Sequence, residues 1–309
     1  MEIFESVYDK SKFNNCVLAF GNFDGVHKGH QHLLNSAKRY AKEKGLAFGV
    51  YTFSDSPKFA NANHSVLSLL GYRLSYINEF CNPDFVYLEH FDDVKNMNPE
   101  MFVRYIIDKF GCLCTFCGEN FSFGKDAMGK SDDLVRLMRE NFKDAVIVES
   151  LKQGGVVVSS THIRSLLAVG KADAAWELLG APYGFTSKVV HGAHLGHRLG
   201  FPTINQIIPK ELVLPKFGVY STIVIVDGKE YMGVTNFGVK PTVSADNTPV
   251  AETYIIDFNG DVYDKFIGIY FCKKLRDEKK FSSLDELKEN IAANVEETKR
   301  YFKEKNEKV

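Results

Sequence analysis

Hydrophobic and polar positions follow different patterns in the two halves of the chain. In the first half, short apolar runs alternate with stretches whose apolar residues recur at helical spacing. The runs predict strands at residues 16–20, 46–53, 85–88, 112–117 and 145–148, and the helical stretches cover residues 33–44, 99–110, 134–138, 161–169 and 171–179. This alternation favours an α/β fold, a parallel sheet covered by helices, with ligands at the carboxyl ends of the strands.

The pattern changes after Gly180-Ala-Pro-Tyr-Gly184, so we expect a domain boundary near Tyr183, with domains at residues 1–182 and 183–309. Beyond it, glycines and prolines punctuate short strands predicted at residues 186–191, 218–226, 229–234, 251–258 and 266–271. Such spacing indicates a small antiparallel barrel or sandwich. A closing helix begins at a capping box, Ser283 to Glu286, and its apolar stripe is expected to pack on the core. That stripe consists of Leu284, Leu287, Ile291, Val295 and Phe302.

A polar turn joins the first strand to the first helix and is the strongest candidate for chemistry. It reads Gly21-Asn-Phe-Asp-Gly-Val-His-Lys-Gly-His30. Turns of this kind aim backbone N–H groups and the positive end of a helix at one point. His27 and His30 are three residues apart, so we expect them to share a face and to suit a polyphosphate whose charge builds during reaction. Asp24 and the neighbouring histidines could instead hold a metal, although no fourth ligand stands at a standard spacing.

Composition and charge narrow the class of protein. The chain has 309 residues, of which 45% are hydrophobic and 25% are charged, as in soluble globular proteins. A net charge of −1 predicts no basic surface for nucleic acid. No apolar run approaches the ~20 residues that span a bilayer, and the first residues lack the pattern of a secretory signal. We therefore expect a cytoplasmic protein without a membrane partner.

Six cysteines raise the possibility of a metal site, because Cys112, Cys114 and Cys117 are close together in the sequence. The same residues form a strand-like run, in which a period of two places Cys112 and Cys114 on one face and Cys117 on the other. Zinc sites usually pair two such clusters or add histidines. Buried thiols and a metal site therefore both remain open, and the strand favours buried thiols.

The turn also resembles a family signature. Gly21 to His30 is similar to the signature of bacterial bifunctional riboflavin kinase/FAD synthetases, in which H-x-G-H marks a nucleotidylyltransferase domain of Rossmann-like fold. The resemblance implies that His27 and His30 are catalytic. It implies ATP and phosphate contacts for Gly21, Asn22, Phe23, Asp24 and Gly25.

Two further stretches of the first half resemble the same family. Val158-Ser-Ser-Thr-His-Ile-Arg164 is similar to its second signature, and Gly118–Gly124 is similar to its nucleotide and flavin loop. The first implies phosphate contacts for Ser160, Thr161 and Arg164, and the second a flavin contact for Asn120. Two positions differ from the family pattern. Ser56 stands where the family has a histidine between two prolines, and His162 stands where it often has an arginine.

An alternative motif overlaps the flavin loop. Gly124-Lys-Asp-Ala-Met-Gly-Lys-Ser131 fits the phosphate-binding pattern G-x-x-x-x-G-K-[ST], and a helix is expected after it. In true members of that class the loop begins directly at the strand end, whereas residues 119–123 intervene here. We therefore predict that this match is accidental.

The second half resembles the kinase part of the same family. Gly192–Asn205 is similar to a signature that ends in Pro-Thr-Ala-Asn, with Ile204 in place of the alanine and His197 where an arginine or lysine is common. The resemblance implies ATP contacts for Gly192, Gly196, Thr203 and Asn205, with Thr203 also binding magnesium. The stretch Glu252-Thr-Tyr254 implies a catalytic Glu252, and the stretch from Arg276 to Phe281 implies a flavin contact for Arg276.

The resemblance implies two linked reactions in one chain. The second domain would phosphorylate riboflavin with ATP to give FMN, and the first would transfer AMP from ATP to FMN, giving FAD and pyrophosphate. Magnesium is implied through ATP, and the partners are small molecules, with a monomer or weak homo-oligomer expected. Two alternatives stay open. Only one half, the kinase, could be active, because Ser56 and His162 are altered; or the chain could be a flavin-binding regulator.

Overall fold

A computed structural model describes residues 1–5, 10, 12–54, 65–191, 200–239 and 248–307. Several predicted positions lie outside these residues, namely Ser56, Gly192, Gly196 and His197. Within the described residues, no helix is both long and apolar enough to cross a membrane. The chain divides into two compact units at residues 1–162 and 163–309.

The first unit is built on a parallel sheet. The strands of this unit are β1 Glu2–Glu5, β2 Cys16–Phe20, β3 Ala47–Phe53, β4 Phe85–Glu89, β5 Cys112–Gly118, β6 Ser122–Phe123, β7 Gly129–Lys130, β8 Asp144–Val148, β9 Lys152–Gln153 and β10 Val156–Val157. Among the described residues, six strands pair in the order β1-β4-β3-β2-β5-β8, and all of these pairs are parallel. Strands β2 and β4 are buried along their whole length, as both faces of the sheet carry a core. The Rossmann-like prediction is confirmed.

Helices cover both faces of this sheet. They are α1 Lys28–Lys44, α2 Leu70–Cys81, α3 Phe91–Val94, α4 Pro99–Phe110 and α5 Ser131–Glu140, with 3₁₀ turns at Asp24–Val26 and Lys125–Ala127. Helix α6, Ser160–Ala168, begins at the end of this unit and continues into the second. Helix α1 ends at Gly45, whose φ of 65° closes the helix in the left-handed region. Helix α4 begins at Asn98, whose side chain accepts a 2.8 Å hydrogen bond from the Met101 amide.

Several elements of this unit were not predicted, among them strand β1 and helix α2. Strand β1 contains only two apolar residues between glutamates, which is too short for a periodic signal. Helix α2 buries Arg73 together with Ile77 and Cys81, so a charged residue interrupts its apolar stripe. A pattern of hydrophobic positions cannot show a helix whose buried face includes an arginine.

The prediction for the cysteine faces was wrong. Cys112 and Cys117 belong to one core cluster, and Cys114 belongs to the cluster on the opposite face. The cause is an irregularity in the β2–β5 pairing, where Cys16 faces Cys112 and the next residue, Val17, already faces Cys114. One extra residue shifts the period of two. All six cysteines are buried thiols.

The second unit contains most of helix α6, then another helix, a barrel and a final helix. Helix α7 spans Ala172–Leu179, and the strands are β11 Tyr183–Val190, β12 Thr203–Ile207, β13 Gly218–Val226, β14 Lys229–Val239, β15 Pro249–Ile255 and β16 Phe266–Arg276. These described strands close into an antiparallel barrel in the order β11-β12-β15-β14-β13-β16. Of the two predicted alternatives, the structure therefore has the barrel and not the sandwich. Strand β12 was not predicted, because its first residues were interpreted as part of the kinase-like signature that ends at Asn205.

The final helix, α8 Leu284–Asn306, begins as predicted at Ser283, whose side chain accepts a 3.1 Å hydrogen bond from the Glu286 amide. The predicted stripe was wrong at Leu284, which is 57% exposed because it occupies the first helical position and faces solvent. Val295 packs in a cluster with Val219 and Ile256 of the second unit. Residues 163–182 group with the barrel by contact, whereas the functional boundary at residue 183 stays a prediction.

Candidate active sites

The turn after β2 has an unusual backbone. Positive φ angles occur at Phe23 (50°), Gly25 (78°) and Val26 (40°), and Val26 is β-branched. Non-glycine residues, and β-branched ones above all, rarely adopt this conformation, which costs free energy that the surroundings must offset. Helix α1 begins directly afterwards, so its unpaired backbone N–H groups lie at the carboxyl end of β2.

The two histidines of the turn stack on each other. Their ring centroids are 3.6 Å apart and the rings are inclined by 16°, so the predicted shared face is present. His27 precedes the helix, and its Nδ1 atom accepts a 3.3 Å hydrogen bond from the His30 amide. Burial, and to a lesser extent the nearby His27, lower the pKa of His30 well below its usual value. His30 is therefore neutral at pH 7.

His30 also keeps unused hydrogen-bonding capacity. Its Nδ1 atom is buried and has no hydrogen-bond partner among the described residues. The ring of Phe23 meets it edge-on, with centroids 5.4 Å apart. A buried polar atom without a partner costs free energy, which a bound ligand can recover.

Glycine at position 29 is required by a close approach. A Cβ atom there would lie 2.9 Å from the carbonyl oxygen of Val158 and 3.1 Å from the His27 Nδ1 atom. Gly29 of the first motif therefore packs against Val158, the first residue of the second motif. The H-x-G-H spacing follows from this packing, because the histidines need a residue without a side chain between them.

The second motif meets the first through Ser160. Its hydroxyl donates a 3.0 Å hydrogen bond to the carbonyl oxygen of Asp24. Helix α6 is capped by Ser159, which accepts a 3.2 Å bond from the His162 amide, so Ser160 itself is the first helical residue. Thr161 is exposed, and Arg164 lies one turn after Ser160 in the same helix.

Asn120 lies in the loop that follows the carboxyl end of β5, next to β2 in the sheet. It is exposed in a turn closed by the Phe121 amide, which donates 3.1 Å to the Gly118 carbonyl. The Phe121 ring stacks on Phe20, with centroids 5.6 Å apart. The partly exposed Phe121 ring therefore lies at the same sheet edge as the histidine turn, packed on the buried Phe20.

Residues 124–131 do not form a strand-loop-helix cradle. Strands β6 and β7 pair as a short antiparallel hairpin, and Gly129 packs so closely that a Cβ would lie 2.8 Å from the Phe123 ring. The Lys130 ammonium donates to the Ala127 carbonyl at 2.8 Å, and the Ser131 hydroxyl to the Glu119 carbonyl at 3.0 Å. These groups hold the loop itself together.

In the second unit, the predicted kinase residues lie on two paired strands. Asn205 of β12 faces Glu252 of β15, and Thr203 faces Tyr254. The Thr203 hydroxyl donates to Glu252 Oε1 at 3.1 Å. Asn205 is 6% exposed, while Thr203 and Glu252 are half-buried. The strand register thus brings a hydroxyl, an amide and a carboxylate together.

A cavity of about 370 Å³ adjoins Thr203. Its other side is the loop from Phe258 to Tyr263. The Tyr263 ring stacks on His191 with centroids 4.3 Å apart. The aromatic walls of this cavity suit a planar ligand group, and the Thr203 hydroxyl can form a hydrogen bond with a polar part of the same ligand.

Arg276 lies at the end of β16, opposite Val219 of β13. Its guanidinium is 5.4 Å from the centre of the Phe281 ring, and its buried Nε atom has no hydrogen-bond partner among the described residues. Burial lowers the pKa of Arg276. Among the described residues, no group of three or more histidine, cysteine, aspartate or glutamate side chains could hold a metal ion.

Sequence reasoning missed the residues that hold the first turn in place. Asp24 Oδ1 accepts hydrogen bonds from the amides of Leu67 (2.8 Å) and Ser68 (3.1 Å), and the Ser68 hydroxyl accepts one from the Gly25 amide at 2.9 Å. The carboxylate of Asp24 therefore faces protein backbone. The missed residues carry no recognisable spacing, and only the fold brings them to the turn.

Known proteins match both units. A family model described as FAD synthetase matches residues 9–162, and one described as riboflavin kinase matches residues 179–302. A bifunctional riboflavin kinase/FMN adenylyltransferase from Pseudomonas fluorescens is 34% identical over 289 residues, covering 93% of each chain. That from Bacillus subtilis is 33% identical over 304 residues, covering 95% of this chain and 94% of the other.

A solved structure has the same fold. It is described as a macrolide-efflux protein from Streptococcus pneumoniae, is 27% identical, and matches with a TM-score of 0.85 over 97% of this chain and 99% of its own. The curated relatives combine in one polypeptide the two activities that the two family models name separately.

Proposed function

Because the chain belongs to the family of bifunctional riboflavin kinase/FMN adenylyltransferases, we propose that its two reactions run at the two sites described above. The protein phosphorylates riboflavin with ATP to give FMN, and it adenylylates FMN with ATP to give FAD and pyrophosphate. Riboflavin, ATP, FMN and FAD are therefore its substrates and products.

The adenylyl transfer is assigned to the turn between β2 and α1. The stacked pair of His27 and His30 carries this assignment, because it stands at a helix N-terminus and in the turn to which Ser160 is hydrogen-bonded through the Asp24 carbonyl. Backbone N–H groups of residues 21–25 would bind the triphosphate of ATP, with Ser160, Thr161 and Arg164 adding hydroxyls and one cation. The two imidazoles would donate N–H groups to the charge that develops on the departing pyrophosphate.

In this reaction an oxygen of the FMN phosphate attacks the α-phosphorus of ATP as the bond to pyrophosphate breaks. The protein forms no covalent bond, so positioning and charge stabilisation account for its catalysis. Asn120 is assigned to the flavin, because it lies at the same sheet edge, next in the chain to the partly exposed Phe121 ring.

The kinase reaction is assigned to the pair of Thr203 and Glu252. Glu252 would accept the proton of the ribityl hydroxyl, which is a poor nucleophile at neutral pH, as its oxygen attacks the γ-phosphorus of ATP. The cavity beside Thr203 would take ATP, with its base against Phe258 and Tyr263. Gly192 and Gly196 are proposed to approach the phosphates through their backbone, and Arg276 to contact riboflavin.

The residues at this site also fit magnesium. Thr203 and Asn205 offer hydroxyl and amide oxygens, and oxygen donors are what magnesium prefers, so the Glu252 carboxylate is left to accept the proton. Because the Thr203 hydroxyl gives its hydrogen to Glu252, its lone pairs remain available to a cation. Bound magnesium would neutralise charge on the ATP phosphates; the adenylyl-transfer site would receive its magnesium with ATP.

We also propose a cytoplasmic enzyme that acts only on small molecules, as a monomer or weak homo-oligomer. Buried thiols at all six cysteines support a reducing compartment, and a net charge of −1 supports the absence of a nucleic-acid partner.

One time course tests the assignment as a whole. Purified protein is mixed with riboflavin, ATP and magnesium, and FMN, FAD and pyrophosphate are followed separately. We expect FMN first, then FAD with an equal amount of pyrophosphate. FMN without FAD would favour a kinase-only protein, which the altered Ser56 and His162 positions support. Bound flavin without either product would favour a regulator.

A further inference from the structure

Arg73 of helix α2 is buried under the strand-to-helix turn. It is 2% exposed and is among the largest fully buried side chains of the described residues. Its Nη1 atom donates to the Asn22 carbonyl at 3.1 Å, and its Nη2 atom donates to the Phe53 carbonyl at 2.5 Å. One guanidinium therefore ties the loop after β2 to the end of β3.

The segment that carries Arg73 also holds the carboxylate of the turn. Asp24 accepts the amides of Leu67 and Ser68, and Ser68 accepts the Gly25 amide. Phe23 and Val26, whose positive φ angles are costly for residues with a Cβ atom, stand between the Asn22 carbonyl and the first histidine. Helix α2 and the residues before it thus hold a turn whose backbone conformation is costly by itself.

Arg73 also affects the electrostatics of the turn, through the carboxylate of Asp24. Asp24 is 5% exposed and lies in the turn assigned to a triphosphate, where an unbalanced buried carboxylate would repel the ligand. The Arg73 guanidinium interacts favourably with that carboxylate. Burial lowers the pKa of Arg73 to about 10 and the charge of Asp24 opposes this change, so Arg73 stays ionised at pH 7.

We propose that Arg73 is a positioning residue for adenylyl transfer, which fixes the carbonyls of Asn22 and Phe53 and neutralises Asp24 so that the turn accepts the triphosphate of ATP. This inference rests on the proposed assignment of FAD formation to that turn. Arg73 does not touch the reacting atoms; it acts through the turn above it. Loss of its charge should therefore weaken ATP binding, which a neutral residue at position 24 should restore, and loss of its two hydrogen bonds should misalign bound ATP and lower kcat.

The decisive experiment compares Arg73→Met with the double variant Arg73→Met/Asp24→Asn. Asparagine keeps an Oδ1 atom that can accept the Leu67 and Ser68 amides, while the negative charge is removed. Steady-state FAD formation from supplied FMN gives kcat and the KM for ATP, and the riboflavin kinase reaction of the same molecules is the internal control. Circular dichroism checks the fold.

We expect Arg73→Met to raise the KM for ATP by about tenfold or more in FAD formation, which corresponds to ~1.4 kcal/mol. The double variant should recover most of that increase, and kinase constants should equal those of the parent. A purely structural role predicts no recovery on removing the Asp24 charge. An unchanged KM in the single variant, or no recovery in the double variant, would overturn the inference.

Arg73→Lys covers the case in which Arg73→Met does not fold. Lysine keeps the charge but cannot donate to two carbonyls in a fixed fork. We expect the KM for ATP to stay within about threefold of the parent while kcat falls about tenfold. A rise in KM with unchanged kcat would contradict the inference. If the parent itself formed no FAD from FMN, the assignment of the turn and this inference would both be overturned.

Discussion

The two units place phosphate-handling groups on different kinds of backbone. In the first unit the groups sit on a turn with positive φ at Phe23 and Val26, and neighbouring elements hold that turn through side chains such as Arg73. In the second unit Thr203 and Glu252 sit on paired strands, at positions where the described backbone has ordinary φ angles. A site on a sheet ladder needs little external support, whereas a site on a turn depends on residues far away in sequence.

Their buried polar groups differ as well. The first unit buries Glu89 at the end of β4, where it accepts hydrogen bonds from Tyr51 (2.8 Å) and Tyr105 (2.6 Å); Lys109 in turn donates to Tyr105 at 2.6 Å. The barrel instead contains a neutral ladder of the hydroxyls of Thr222, Thr235 and Thr253. Charge therefore matters for the core of the first unit and much less for that of the barrel.

The largest effect is expected at the strand-borne site. Glu252→Gln keeps the shape of the side chain and removes the base, so kcat for FMN formation should fall about 10²–10⁴-fold with little change in riboflavin affinity. Single-turnover kinetics with riboflavin measures the change, and FAD formation from supplied FMN is the matched control. Near-normal kinase turnover would refute the role of Glu252.

A smaller loss is expected at the turn-borne site. His27→Ala or His30→Ala removes a preorganised donor and should cost about 2.7–4 kcal/mol in the transition state of FAD formation. The kinase reaction of the same protein should continue. If both activities fell together in a folded protein, the histidines would not belong to the adenylyl-transfer site alone.

Removing a buried polar group should lower the free energy of unfolding more in the first unit than in the barrel. Glu89→Gln removes a charged acceptor and should lower the free energy of unfolding of the first unit by about 1.5–3 kcal/mol, whereas Thr235→Val in the barrel should cost about 1 kcal/mol. The single tryptophan, Trp176, reports the second unit by fluorescence during urea unfolding, and circular dichroism reports both units. Equal losses would remove the contrast between charged and neutral cores.

Acid should weaken the first unit more than the barrel. The pKa of His30 is lowered in the folded state, so below pH 6.5 the unfolded chain binds a proton that the folded one excludes. Stability of the first unit should therefore fall as the pH decreases through this range, by up to about 1.4 kcal/mol per pH unit. His30→Gln should flatten the slope. A slope unchanged in that variant would assign the pH dependence to other groups.

The smallest effect is expected at Lys130. Because residues 122–130 form a hairpin in which Lys130 donates a hydrogen bond to the Ala127 carbonyl, Lys130→Ala should leave both activities within about threefold of the parent. Titration with ATP, followed by both product assays, measures the change. Loss of ATP binding in a folded variant would show that this segment does bind phosphate.

Sequence predicts the parts of this molecule whose signal is local. Apolar runs located the buried strands of the first sheet, and the three-residue spacing of His27 and His30 predicted their shared face. Prediction failed where tertiary structure overrides the local pattern. A bulge in the β2–β5 pairing places Cys114 on the face of the sheet opposite Cys112. Strand β12 was not predicted because its polar residues lack a strand-like hydrophobic pattern. The role of Arg73 was not predicted, because in sequence a buried arginine cannot be distinguished from one on the surface.

The hydrogen bond between the His30 amide and His27 Nδ1 has a further consequence for ligand choice. A backbone N–H can only donate, so Nδ1 must present its lone pair, and neutral His27 is fixed as the Nε2–H tautomer. That tautomer has no lone pair left for a cation, because metal ions bind imidazole through an unprotonated nitrogen. The capping bond therefore makes His27 selective for anions and disfavours the metal alternative that its sequence context allows.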